Sequence, residues 1–300
     1  MIAHKISLTL SGVLLVAVAA GACGILPGGE GEGAIRVGAV SFAENQIVAE
    51  LYALVLEEAG FSVERRFNFQ DRESLQPRME AGDIDLAPEY LASLLTFLRP
   101  NATPSSDPAE NIERLKPLLQ RLGLDLLRPS EANDTNALVV QVRTANKLDL
   151  KDVSDLADHD HDLVFGGPPE CPDRRFCLKG LRDVYGLEFE DFKRLDAGGP
   201  LTIAALESRE IDVALLFSTS GIIQERSWVV LDDDKRLQAA ENITPVIRSK
   251  IATEEIAALL NGVSERLTTS VMTTLNGLVE IANRDFRAVA REFLEDAGLL

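Results

Sequence analysis

Met79-Glu80-Ala81-Gly82-Asp83-Ile84-Asp85-Leu86-Ala87 and Leu206-Glu207-Ser208-Arg209-Glu210-Ile211-Asp212-Val213-Ala214 are one pattern written twice, 127 residues apart. Each reads as a helix end, a turn and a buried strand. Working outward, the same correspondence continues on the N-terminal side. Ile35-Arg36-Val37-Gly38 matches Leu163-Val164-Phe165-Gly166, each a short apolar strand ending in Gly. A helical stretch closed by Gly follows in both halves, Gln46 to Gly60 and Leu178 to Gly186. Val63 to Phe67 and Phe192 to Leu195 then read as strands. Internal repetition of this kind sets an architecture, although two unrelated α/β units that look alike by chance is the competing reading.

Two β-α-β-α-β units imply an α/β fold with two open, mainly parallel sheets, whose ligands sit outside the carboxyl ends of the strands. Those ends carry Pro88-Glu89-Tyr90 and Leu216-Phe217-Ser218-Thr219, so both are expected to face a shared cleft. Tyr90 and Phe217 occupy equivalent places, again 127 residues apart. Leu138 to Val142 and Val246 to Arg248 are expected to cross between lobes, giving one lobe of residues 34–137 plus 245–300 and a second of 138–244. Two C-terminal helices, Glu254 to Ser270 and Met272 to Leu299, would return to the first lobe.

The N-terminus carries His4 and Lys5, an apolar run from Ile6 to Ala20, and then Gly21-Ala22-Cys23. This is the layout of a signal peptide over residues 1–22, and its apolar run is too short for a spanning helix. Gly21-Ala22-Cys23 resembles the lipobox of bacterial lipoproteins, with Ala20 where that pattern has Leu, which implies lipidation at Cys23. Two acyl chains suffice for stable anchoring, each buried methylene contributing about 0.8 kcal/mol. The Gly- and Glu-rich stretch from Gly24 to Gly33 completes residues 23–33 as a lipidated Cys and flexible tether. With 48 Asp and Glu against 30 Lys and Arg, the chain has a formal charge of −18, and only Lys5 of these lies in the signal segment. Such acidity excludes a nucleic-acid surface, which must be basic.

Three ordered stretches carry a family resemblance: Ser41-Phe42-Ala43-Glu44-Asn45-Gln46, Glu80 to Tyr90, and Asp212 to Thr219. Together they resemble the glycine betaine/choline/carnitine-binding proteins of ABC importers, over about residues 35–295. The resemblance implies the type II periplasmic-binding-protein fold with hinge closure, a small-molecule solute as ligand, and an ABC permease with its ATPase as partners. It implies a place on the outer face of the cytoplasmic membrane, held there by the lipid anchor. A monomer without cofactor or metal is expected. In that family a quaternary ammonium sits among aromatic rings, whose faces attract a cation that cannot donate hydrogen bonds. Tyr90 and Phe217 match two such positions, Asn136 stands where many relatives have Tyr, and Leu201 or Thr202 replaces another aromatic. Ser41 and Glu44 of the first motif, Ser93 and Thr219 complete the expected ligand contacts. The ligand carboxylate in the family is commonly gripped by an Arg four residues beyond a Glu, which Glu170 and Arg174 fit, with Arg175 adjacent. Arg suits that task because its fork binds both oxygens. The replaced positions leave a modified amino acid such as ergothioneine beside the betaines as ligand, and a sensor lipoprotein beside the importer component as role.

Cys171 and Cys177 bracket one short loop, and in an exported protein that spacing reads as a disulfide, with free thiols or a metal pair as alternatives. Asp158-His159-Asp160-His161-Asp162 has metal-ligand composition but reads as a solvated loop, since neighbouring residues point apart. Ser218-Thr219-Ser220-Gly221 lacks the leading Gly of a nucleophile elbow, and the only His residues are His4, His159 and His161. A Ser-His hydrolase needs a base beside its nucleophile, so no enzyme is expected.

Overall fold

The computed structural model describes Met1 and residues 33–300. The expected signal segment, Cys23 and nearly all of the tether lie outside the described residues. Along the chain the first elements are β1 (Ile35–Val40), α1 (Ala43–Glu58), β2 (Val63–Phe69), α2 (Arg72–Ala81), β3 (Leu86–Tyr90), α3 (Leu91–Leu98), α4 (Pro108–Arg121) and β4 (Leu124–Leu126). Then come β5 (Asn136–Val140), α5 (Val142–Leu148), β6 (Val164–Gly167), α6 (Leu178–Gly180), β7 (Asp191–Arg194), α7 (Pro200–Ser208), β8 (Val213–Phe217), α8 (Gly221–Glu225) and β9 (Val229–Val230). Finally β10 (Ile243–Arg248) leads into α9 (Glu254–Ser264), α10 (Thr269–Glu280) and α11 (Phe286–Asp296).

The strands form two five-stranded sheets, ordered β2-β1-β3-β10-β4 and β7-β6-β8-β5-β9. Each has a parallel triplet built from one copy of the repeat. Each triplet is extended by an antiparallel strand, β10 on β3 and β5 on β8. These extensions are the segments expected to cross between lobes, and they start earlier than their apolar runs suggest. Their pairing runs to the very ends of the partner strands, Ile243 opposite Tyr90 and Asn136 opposite Phe217.

The repeated residues have the same mechanical task in both halves. Asp85 accepts a hydrogen bond from the Arg36 amide at 2.9 Å and donates its own amide to the Arg36 carbonyl at 2.8 Å. Asp212 does likewise with Val164, at 3.0 and 2.8 Å. The carboxylate therefore satisfies an amide of the first strand that the ladder would leave open. Gly38 and Gly166 make room for the Ile of each motif: a Cβ on Gly38 would stand 2.9 Å from Ile84 Cγ2, and one on Gly166 would run into Ile211. At the turn, Gly82 takes a left-handed conformation with φ 81° and Arg209 takes the same one at φ 64°. Only the first copy uses the residue that adopts it without steric cost.

Helix α1 is buried nearly all round, between the first sheet and α9 to α11, and supplies Ile47, Leu51, Tyr52 and Leu54 to the largest core. The C-terminal region forms three helices rather than the expected two. Thr268 caps α10 by accepting from the Val271 amide, and Asp285 caps α11 by accepting from Ala288. Two local caps thus override an apolar periodicity that reads as continuous. Helix α8, which follows the second sheet, packs on α10, with the backbones of Gly221 and Gly277 in direct contact. Among the described residues no helix is long and apolar enough to cross a membrane.

Candidate functional site

The C-terminal ends of β3 and β8 open onto a cavity of roughly 430 Å³ between the two sheets. Tyr90 and Phe217 both line it, one from each strand end. Two further rings, Phe42 just before α1 and Phe176 from the Cys171–Cys177 loop, bring the aromatic side chains on its wall to four. The Phe42 and Tyr90 rings stand 6.1 Å apart. Phe42 and Phe217 are 44% and 42% exposed, a costly placement for large apolar rings unless something covers them.

Tyr90 is 7% exposed, and its hydroxyl donates to Glu44 Oε1 at 2.9 Å. The other carboxyl oxygen of Glu44 accepts from Asn276 Nδ2 at 2.8 Å. Thr219 donates to Asp134 Oδ1 at 2.7 Å, and its carbonyl accepts from Asn276. Burial raises the pKa of Glu44, and burial together with the Glu44 charge raises that of Asp134. Burial and Glu44 likewise push the Tyr90 phenol well above its ordinary value. The cavity's acids are Glu89, Asp134 and Glu241, and its one base, Arg72, is committed to Glu89 through hydrogen bonds of 2.8 and 2.9 Å. Asp134 is thus a half-buried acid facing the cavity without a cationic partner, and its charged form is costly there until a positive charge arrives.

Because Glu44 and Asp134 bind protons more tightly folded than unfolded, their contribution to stability is fully present at and below the ordinary carboxylate range. It is lost as pH rises through their raised values. The ligand-free protein is therefore expected to lose unfolding midpoint as pH rises above the ordinary carboxylate range. Glu44→Gln should flatten the slope without removing it, since Glu241 and Glu280 are raised by burial as well. Thermal unfolding of both proteins across this range is the measurement, and an unchanged slope in the variant would contradict the assignment.

Of the residues singled out from sequence, Tyr90, Ser93, Asn136 and Phe217 line this cavity. Ser93 is engaged by Glu241, donating its hydroxyl at 2.7 Å and its amide at 3.0 Å. Asn136 donates to the Phe176 carbonyl at 3.0 Å. Glu44 and Thr219 lie behind, on a neighbouring chamber. Glu170 and Arg174 line an adjoining cavity of roughly 790 Å³, with Arg175 and Arg72. Arg174 and Arg175 form no ion pair among the described residues. Ser41 is exposed at the end of β1, lines none of these cavities, and gives its amide to the Phe69 carbonyl. Cys171 and Cys177 form the expected disulfide, with Cα atoms 5.2 Å apart. Sequence reasoning missed Phe42, Phe176, Asp134, Gln238 and Glu241. Phe42 lies inside a quoted motif, and Phe176 within the Cys-bracketed loop, so position alone could have flagged both.

A family model described as the substrate-binding domain of an ABC-type glycine betaine transport system matches residues 33–296. The glycine-betaine-binding protein of Pseudomonas aeruginosa is 29% identical over 279 residues, covering 89% of this chain and 88% of its own length. The ergothioneine transport permease/ergothioneine binding protein of Helicobacter pylori is 28% identical over 261 residues, or 86% of this chain and 46% of that one. The crystal structure of a glycine betaine/carnitine/choline ABC transporter superposes with a TM-score of 0.83 at 25% identity, covering 88% of this chain and 99% of that one. The architecture is the two-lobed α/β fold of type II periplasmic binding proteins. With the match spanning both sheets and the cleft between them, the chain belongs to the family of substrate-binding domains of ABC-type glycine betaine transport systems.

Proposed function

We propose that the chain captures a small solute bearing a methylated ammonium group, of the glycine betaine, choline or carnitine kind, and hands it to an ABC permease for import. The observation that carries this reading is the pairing of four aromatic rings with Asp134, an acid without a cationic partner, in one cavity. Ring faces attract a cation that has no proton to donate, and a bound cation favours the charged form of the half-buried Asp134. Tyr90 and Phe217 serve as opposite walls, with Asn136 and Ser93 beside them and Glu44 and Thr219 supporting from behind. Where the solute carries a carboxylate, Glu170 and Arg174 position the grip in the adjoining cavity. Residues 34–137 with 245–300 act as one lobe and 138–244 as the other, closing by a hinge. The protein works outside the cytoplasmic membrane as a monomer, held to its outer face by lipid on Cys23. Binding without turnover follows from the family and needs no cofactor.

A second reading is favoured by the polar groups of Asn136, Ser93 and Gln238 on the same wall: a trimethylated amino acid such as ergothioneine, which the Helicobacter pylori relative is named for. A thermal-shift series of glycine betaine, choline, carnitine, ergothioneine and ordinary amino acids, followed by calorimetry, separates the two. The expected result is one-to-one binding of a methylated ammonium compound, recovered unchanged after denaturation. Binding confined to unmethylated amino acids, or recovery of a product, would refute the proposal. Neighbouring permease and ATPase genes accord with import, whereas a receptor or kinase gene would point to sensing.

A further inference from the structure

Behind Phe42 and Phe217 lies a second chamber of roughly 880 Å³. Phe42, Asp134 and Phe217 line both it and the smaller cavity, so the two chambers meet across the same two rings and one carboxylate. Its remaining wall is largely apolar: Pro200, Ile203 and Ala204 from α7, Ile222 from α8, and Ile281 after α10. The charged groups on it are all acids, Glu44, Asp134, Glu207 and Glu280, with no Lys, Arg or His among the described residues of its lining. The side-chain amide oxygen Oδ1 of Asn276, a residue of this wall, is buried without a hydrogen-bond partner. An apolar wall favours hydrocarbon, and the acids disfavour any anionic end.

We propose that this chamber is a second subsite, which takes an uncharged apolar substituent of a cationic solute whose ammonium head stands at Asp134 between Phe42 and Phe217. The inference rests on the reading of the smaller cavity as a cation site and extends it: the chain accepts alkylated ammonium compounds longer than betaine or choline. Anionic tails are excluded from the chamber and must point the other way, toward Arg174.

Calorimetry with tetramethylammonium, butyltrimethylammonium and hexyltrimethylammonium tests it. The dissociation constant is expected to fall about two- to four-fold for each methylene that enters the chamber. Ala204→Trp, at an exposed position of α7 facing the chamber, should leave tetramethylammonium affinity as it is and abolish the gain with length. Circular dichroism checks that the variant is folded, and Ala204→Leu, a smaller obstruction, should reduce the gain if the Trp variant is not. A flat series in the native protein overturns the subsite, as does an undiminished gain in folded Ala204→Trp. Failure of tetramethylammonium, choline and glycine betaine alike to bind would instead overturn the cation site on which the subsite rests.

Discussion

Phe217→Ala is expected to weaken binding of a methylated ammonium ligand by about 5- to 150-fold, that is about 1–3 kcal/mol, while leaving the unfolding midpoint nearly unchanged. The asymmetry follows from where the ring is. At 42% exposed, the end of β8 gains little from Phe217 in the free protein, so truncation removes a ligand contact and opens no core cavity. Tyr90 is expected to behave differently, although it holds the equivalent place in the repeat. Its ring is 7% exposed and belongs to the largest core, and its hydroxyl supports Glu44. Tyr90→Ala should therefore cost about 3–5 kcal/mol of stability in addition to affinity. Tyr90→Phe, which keeps the ring, separates the parts: affinity close to native with a modest stability loss, as Glu44 loses one donor. Affinity and denaturation midpoint measured on all three variants decide the matter. Unchanged affinity in Phe217→Ala would remove this ring from the site.

The second large effect is expected at the disulfide. Replacing Cys171 and Cys177 together by Ser should lower stability by about 2–3 kcal/mol, the entropy of closing a small loop. It should also weaken binding several-fold, because the loop carries Phe176 into the cavity. The Phe176 carbonyl accepts from Asn136 at 3.0 Å and from Gln238 at 3.3 Å, so the bridge holds a ring and two amide side chains in register. Intact-mass analysis with alkylation before and after reduction establishes the bridge in the isolated protein. Reductant added to the native protein should reproduce the affinity loss of the double variant and have no further effect on it. A double variant that binds as tightly as the native chain would show that Phe176 needs no such support.

The fold was legible because its repeat is written in residues whose task is local. Asp85 and Asp212 each close a backbone amide, and the glycines facing Ile84 and Ile211 each make room for a side chain a few residues away, so spacing alone reveals them. The same equivalence located Tyr90 and Phe217, since a strand end is a position that a repeat conserves between its copies. The remainder of the site follows no such rule. Phe176 reaches the cavity through a cross-linked loop that has no counterpart in the first half. Asp134 and Glu241 sit in connecting segments, tied to each other by a backbone hydrogen bond of 3.2 Å that joins residues over a hundred positions apart. Asn136, read as the place where a ring was missing, instead fastens the ring that stands nearby. Chemistry assembled from segments distant in the chain leaves no periodic trace in it.

Strand β10 sits between β3 and β4 and is the partner of both, yet it is the last strand of the chain. Synthesis from the N-terminal side has therefore made all of β1 to β4 long before the first sheet can be finished. All the strands of the second sheet emerge within residues 136–230, before β10. The sheet that begins first is completed last, the gap between β3 and β4 filled only when residues 243–248 arrive. Assembly then runs against the order of synthesis: the strands of the second sheet can pair in full first, while the first sheet waits partly paired with the edges of β3 and β4 exposed. That delay leaves the sheet begun first incomplete until residue 248 has been made.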